Sequence, residues 1–204
     1  IASHSEANIV VVENAEQLAK FKKIKNQLPD LKAIVLMNGS DPDDMVYAWN
    51  ELPKIADKVT ENELEERIKA QKPDDCCTLI YTSGTTGNPK GVMITHDNIT
   101  WTTQQAVNLL KANHDDQVLS YLPLSHIAEQ MISLYAPILC GATAWFAESL
   151  EKLGENLAEV RPTIFLGVPR VWEKIQAKMM AAGAQNPPLK KKIAAWARKQ
   201  GLAG

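Results

Sequence analysis

Ten residues, Thr82 to Gly91 (TSGTTGNPKG), place three glycines, four hydroxyls and one lysine between two short apolar runs. Each of these residue types has a use if the ligand is a polyphosphate. Glycine lets consecutive backbone N–H groups converge on an anion, the hydroxyls add neutral donors, and Lys90 adds a mobile positive charge. The Walker A loop, G-x-x-x-x-G-K-[ST], does not fit the string. Counted from Gly84, it needs a second glycine where Pro89 stands and a Ser or Thr where Gly91 stands. The loop also reads as joining two strands of a hairpin, so an ordinary P-loop nucleotidase is disfavoured. For single hydroxyls such as Thr82 and Thr86, hydrogen bonding within the turn is the competing use.

Other reactive residues are sparser. His126 and Glu129 have the spacing H-x-x-E but no third ligand, which argues against a metal pair. His4 and His114 have no constellation around them, and His96 stands out only because it closes the run Tyr81–His96. Three cysteines, Cys76, Cys77 and Cys140, are an odd number with an adjacent pair. That pattern fits reduced thiols of a cytosolic protein better than a disulfide framework.

The loop must be carried by strands. NIVVVE (8–13), a helical pattern over 13–28 and LKAIVLM (31–37) predict a βαβ unit with parallel pairing, followed by an acidic loop at 38–45. Thr60 and Glu63 form a T-x-x-E capping box for a helix that stops before Pro73. CCTLIYT (76–82) and GVMIT (91–95) are the strands flanking the loop, and Asp97 is the expected N-cap of a helix through Ala106, Leu109 and Leu110. QVLSYLPL, HIAEQMISLYAPIL, GATAWF, a helix from about Ser149 and TIFLGV continue the alternation, and two helices starting at Pro169 and Pro187/Pro188 close the chain. The expected fold class is α/β, a mixed or mainly parallel sheet flanked by helices.

Composition sets outer bounds. In 204 residues, 45% are apolar and 22 basic residues face 24 acidic ones for a net charge of −2, so disorder and a dedicated nucleic-acid binder are disfavoured. Gln130–Ala147 carries no charge for 18 residues, close to a bilayer span. Pro137 and Gly141 interrupt it, and a helix followed by a strand is the better reading. The first residue is Ile1 and no signal peptide is visible, so the chain is expected to begin inside a longer protein.

The whole run YTSGTTGNPKGVMITH (Tyr81–His96) resembles the phosphate-loop signature of the adenylate-forming, or AMP-binding, enzymes. YLPLSHIAEQ (Tyr121–Gln130) and FLGVPRVWEKI (Phe165–Ile175) resemble segments of long-chain fatty acyl-CoA synthetases, most like their bubblegum subgroup. The resemblance implies that residues 1–204 are a fragment of the N-terminal AMP-binding domain with the C-terminal domain absent, and that the fragment alone is inactive. It implies ATP, Mg²⁺ and CoA as cofactors and a fatty acid as substrate. ATP phosphates would be held by Thr82, Ser83, Gly84, Thr85, Thr86, Gly87, Asn88, Pro89 and Lys90, with Thr85 also the candidate Mg²⁺ ligand. His126 is the candidate catalytic residue, a neutral imidazole that orients the carboxylate or the α-phosphate, against the plainer reading of a half-buried histidine at a helix start.

Leu189, Ile193 and Trp196 share a helical stripe surrounded by Lys190, Lys191, Lys192, Arg198 and Lys199. Such a helix either packs on its own domain or makes a peripheral membrane contact. The expected location is the cytoplasm, with the surface of the endoplasmic reticulum or another membrane as the alternative. Two other functions stay open: a non-catalytic ATP- or membrane-binding relic, and another adenylate-forming ligase.

Overall fold

Runs of β-branched and apolar residues bounded by polar turns make the first sheet. β1 (Ile9–Val12), β2 (Ala33–Leu36) and β3 (Val46–Ala48) pair in that order, all parallel, with Ile9 opposite Ala33 and Ile34 opposite Val46. The crossover from β1 to β2 is α1 (Ala15–Ile24), capped by Asn14, whose side chain accepts the Gln17 N–H at 3.1 Å. Its Leu18 packs with Val12, Leu28, Leu31, Ile34, Leu36 and Val46. Full burial of one such side chain stabilises the fold by roughly 1.5–3 kcal/mol. The acidic loop before β3 is tied to α1 by Lys22–Asp41 at 2.5 Å and to the turn after it by Lys25–Asp43 at 2.7 Å. Each lysine holds its partner carboxyl below the usual range, helped by a backbone N–H from Asp43 or Met45.

The structure is a computed structural model that describes residues 1–82 and 87–201, and it divides into two units, Ile1–Trp101 and Thr102–Gly204. The first unit continues with α2 (Leu52–Ala56) and α3 (Glu61–Ala70). α3 begins at the expected capping box: the Thr60 hydroxyl accepts the Glu63 N–H at 3.3 Å and Glu63 accepts the Thr60 N–H at 2.8 Å. β4 (Cys76–Thr82) and β5 (Lys90–Thr95) then form an antiparallel hairpin. β5 leads directly into α4 (His96–Leu110). Here the expectation for Asp97 is corrected, because it lies in the first turn and Thr95 is the cap. Thr95 Oγ1 accepts the Asn98 N–H at 3.1 Å, and Asn98 Oδ1 accepts the Thr95 N–H at 3.2 Å. A reciprocal pair satisfies two backbone groups where a lone aspartate satisfies one.

In the second unit β6 (Gln117–Ser120) and β7 (Thr143–Phe146) pair in parallel, and Ile164 forms a single parallel bridge to Val118. After a loop at 121–126, the chain between them is one helix in three parts: α5 (Ile127–Gln130), a π-helical turn (Met131–Tyr135) and α6 (Ala136–Cys140). Pro137 has no N–H to give and its ring crowds the preceding turn, so an unbroken α-helix is unfavourable there. The wider π turn admits it, and the helix passes through the position expected to interrupt it. α7 starts at Leu153 rather than near Ser149, because Glu148 and Ser149 are used in a turn. The Glu148 N–H donates to Asn156 Oδ1 and the Ser149 hydroxyl accepts the Lys152 N–H. α7 (Leu153–Val160), α8 (Pro169–Ala184) and α9 (Pro188–Gly201) complete the unit, both prolines standing at helix starts as expected. Both units are α/β with parallel sheets and one antiparallel hairpin, the class read from the sequence. Among the described residues no helix is long and apolar enough to cross a membrane.

Candidate functional site

The candidate in the first unit is the hairpin loop. Strand register puts Thr82 opposite Lys90, so residues 83–89 leave and re-enter the sheet at one rung. Ser83, Gly84, Thr85 and Thr86, four of the residues assigned to phosphate, lie outside the described residues. Of the others, Thr82 ends β4, Lys90 starts β5, and Gly87, Asn88, Pro89 and Lys90 are all exposed. Gly87 has φ +136°, a conformation that side-chain-bearing residues rarely adopt. The loop therefore needs its glycine for backbone shape, and the geometry leaves Lys90 open to solvent. Behind it, the Tyr81 hydroxyl and His4 Nδ1 are hydrogen-bonded at 2.7 Å. Cys77, in the same strand, packs its thiol toward the Ile94 carbonyl, and burial pushes that thiol above its ordinary range, which suits an inert structural cysteine. Cys76, Cys77 and Cys140 are all free thiols.

A separate candidate, described by itself, is the loop Tyr121–His126 of the other unit, which follows β6. His126 occupies the N-cap position of α5 in extended backbone (φ −98°, ψ 124°), with its side chain exposed. The half-buried alternative is therefore corrected: among the described residues this histidine is exposed. The loop below it is tied down from several directions. Tyr121 donates its hydroxyl to the Leu166 carbonyl at 3.0 Å and accepts the Val168 N–H at 3.1 Å. Its ring lies 5.6 Å from that of Phe165, which lies 5.8 Å from that of Trp172. Trp172 Nε1 donates to the Gly167 carbonyl at 2.8 Å, and a Cβ on Gly167 would come within 2.5 Å of the indole. These side chains take the backbone groups of Leu166–Val168 that a strand would need, which is why the expected strand TIFLGV reduces to the bridge at Ile164.

Glu129, one turn into the helix, is 3% exposed. It accepts hydroxyls from Ser120 and Ser133, each at 2.5 Å, and the Leu122 N–H at 3.3 Å. Its carboxylate points into this cluster, and among the described residues no group of three or more His, Cys, Asp or Glu could hold a metal. Sequence reasoning weighed Glu129 only as a metal partner. The signal it carried was different: a lone acid at the edge of an uncharged 18-residue run, with a serine four residues on.

A groove of about 750 Å³ opens beside this loop, lined by Tyr121, Leu122, Leu150, Val168, Arg170 and Lys174 among others. These residues follow the carboxyl ends of β6, β7 and the Ile164 bridge, where parallel sheets place their ligands. Apolar walls with three cations, Arg170, Lys174 and Lys178, against one acid, Glu151, suit an amphiphilic anion. α9, by contrast, keeps Leu189, Ile193 and Trp196 exposed at 71%, 57% and 64%, so its stripe is not packed on its own unit as the plainer sequence reading had it.

A family model described as AMP-binding enzyme matches residues 1–200. The chain is 47% identical to the long-chain-fatty-acid–CoA ligase ACSBG2 of Xenopus laevis, covering 99% of this chain and 29% of that protein. It is 46% identical to the long-chain-fatty-acid–CoA ligase ACSBG1 of Bos taurus, covering 97% and 28%. The chain thus spans about three tenths of the length of the curated relatives it matches. Among solved structures, a long-chain-fatty-acid–CoA ligase (FadD1) from Archaeoglobus fulgidus superposes with a TM-score of 0.67 at 23% identity, over 90% of this chain and 34% of that one. The anthranilate CoA ligase AuaEII in complex with anthranoyl-AMP gives 0.64 at 23% identity, over 84% and 32%. At that identity the likeness establishes the fold.

Proposed function

Because the chain belongs to the AMP-binding enzyme family, we propose that it is the ATP-handling part of a ligase that activates long-chain fatty acids to acyl-CoA. The observation that carries this reading is the TSGTTGNPKG loop closed at the Thr82–Lys90 rung of an antiparallel hairpin. The names of the relatives, long-chain-fatty-acid–CoA ligases, favour a fatty acid over the substrates of other adenylate-forming ligases.

The chemistry has two halves. The fatty-acid carboxylate attacks the α-phosphorus of ATP and pyrophosphate leaves; the thiol of CoA then attacks the acyl carbonyl and AMP leaves. The first half brings a carboxylate against a triphosphate, so negative charge is the main barrier. Residues Thr82–Lys90 meet it with backbone N–H groups, hydroxyls and the exposed ammonium of Lys90, which offset charge shifting to the leaving pyrophosphate. Thr85 is the residue of this chain assigned to Mg²⁺, which when bound supplies further neutralisation of phosphate oxygens. His126, exposed at the start of α5, orients the carboxylate or the α-phosphate as a hydrogen-bonding group. The apolar groove with Arg170 and Lys174 at its rim supports an amphiphilic acid as the second substrate. The reading includes a cytoplasmic protein with peripheral membrane contact through α9, which flotation with anionic against neutral vesicles would test.

The deciding experiment is ATP–pyrophosphate exchange in a ligase of the relatives' full length that carries this sequence. A charge-assisted contact of this kind is worth about 1.5–3 kcal/mol, so Lys90→Ala is expected to slow exchange by about tenfold to a hundredfold. Exchange within twofold of the parent, in a folded variant, overturns the assignment.

A further inference from the structure

Burying a carboxylate is costly, and an apolar side chain of the same size would fill the space beneath the His126 loop without that cost. Glu129 is nevertheless buried, at 3% exposure, in a cluster whose other members, Ser120 and Ser133, are buried polar residues too. The two carboxylate oxygens are used differently. Oε1 takes both serine hydroxyls, one from the end of β6 and one from the π turn, which satisfies the charge. Oε2 takes the N–H of Leu122, the second residue past the end of β6. The neighbouring Gln130 donates its side-chain amide to the Leu124 carbonyl at 2.6 Å. The backbone N–H groups of Glu129 and Gln130 both donate to the His126 carbonyl, at 3.0 and 3.2 Å. Residues 122, 124 and 126 are thus each gripped by the same two residues of α5.

We infer that Glu129 is a positioning residue which, with Gln130, fixes the Tyr121–His126 loop in a single conformation and through it the His126 imidazole. The role of His126 rests on the functional reading above; the grip on the loop does not. The division of labour between the oxygens separates holding the loop from merely filling the core. Loss of the Oε2 contact frees the loop, whereas loss of a serine donor weakens the cluster and leaves the Leu122 contact in place.

Amide hydrogen exchange in a ligase of the relatives' full length that carries this sequence reads this directly. In Glu129→Leu the amides of Leu122 and His126 are expected to exchange at least tenfold faster, with those of Val118 and Leu119 in β6 unchanged. Ser133→Ala is expected to lower the melting temperature without selectively speeding the loop amides. Should Glu129→Leu not fold, Glu129→Gln keeps the size and still loses one of the two acceptor oxygens. Unchanged loop exchange in a folded variant, or acceleration spread evenly over β6 and β7, overturns the proposal. The catalytic half is read in the full-length ligase by a double-mutant cycle on single-turnover adenylate formation. If Glu129 acts through His126, Glu129→Gln slows the parent several-fold but adds nothing to His126→Ala, and independent, multiplying effects overturn it. An adenylation rate untouched by His126→Ala instead removes His126 from the functional reading, and the exchange measurement still decides whether Glu129 holds the loop.

Discussion

The two loops proposed to handle substrate are held in opposite ways. The hairpin loop is held at its base by backbone register, Thr82 against Lys90, with Gly87 supplying a turn that a side chain would strain. The Tyr121–His126 loop is held by side chains: Glu129 and Gln130 from the helix, and Tyr121 against Leu166 and Val168. A loop anchored at its base can offer several backbone donors to an extended anion. A loop gripped along its length presents one side chain at one place. The first arrangement is suited to a polyphosphate and the second to orienting a single reacting group, so substitutions in the two should fail differently.

That contrast is most exposed at Lys90. Lys90→Ala, with its tenfold to hundredfold loss of pyrophosphate exchange, should leave the thermal melt of the chain within about a degree of the parent, because the side chain is exposed. A melt lowered by several degrees would mean the hairpin loop depends on side-chain support after all. Gly167→Ala should behave in the reverse sense. A methyl group 2.5 Å from the Trp172 indole forces the ring or the backbone to move, and overpacking of this kind costs about 1–3 kcal/mol. The melt should fall by several degrees, and an unchanged melting temperature would show that the Trp172 contact carries no weight. Tyr121→Phe is the milder version, keeping the ring but losing both hydrogen bonds of its hydroxyl and stranding the Val168 N–H, for about 1–2 kcal/mol by denaturant titration. Equal stability of parent and variant would place the grip on the loop elsewhere.

The smallest effect concerns acid, and it lies away from both loops. The Asp41 and Asp43 carboxyls are held below their ordinary value of 3.8 by Lys22 and Lys25. Groups lowered on folding contribute stability that is fully present above the unfolded value and lost as pH falls through the folded one. The contribution of these pairs to the denaturation midpoint should therefore be full and independent of pH near neutrality and fall as pH drops below about 4. Lys22→Met with Lys25→Met should flatten that limb, by a modest amount because both pairs meet solvent. Acid limbs that superimpose would show the pairs to be without consequence.

Much of this architecture was legible because its signals are local. The capping box Thr60–Glu63, the strand CCTLIYT and the parallel βαβ unit each follow from short-range pattern, and the structure has them where expected. The misplaced features are those decided by residues distant in sequence. TIFLGV reads as a strand by composition, yet Tyr121, some forty-five positions earlier, takes its hydrogen-bonding groups. Glu129 reads only as a weak metal partner of His126 until Ser120 and Ser133 are brought to either side of it. The start of α4 differs from expectation for a nearer reason: Thr95 reads as the end of a strand, and it is also the cap of the helix.

The π turn at Met131–Tyr135 also shifts phase along the sequence. An α-helix advances about 100° per residue, so a turn that accommodates one extra residue rotates everything after it by about that angle relative to everything before. Ile127–Gln130 and Ala136–Cys140 consequently share an axis without sharing a helical wheel, and no single stripe drawn from one end to the other describes which residues face inward. The segment is thereby sensitive to length as well as composition. Removing any one residue between 131 and 135 would restore an even winding, turn α6 away from the face it now presents, and set the ring of Pro137 against a regular α-helical turn.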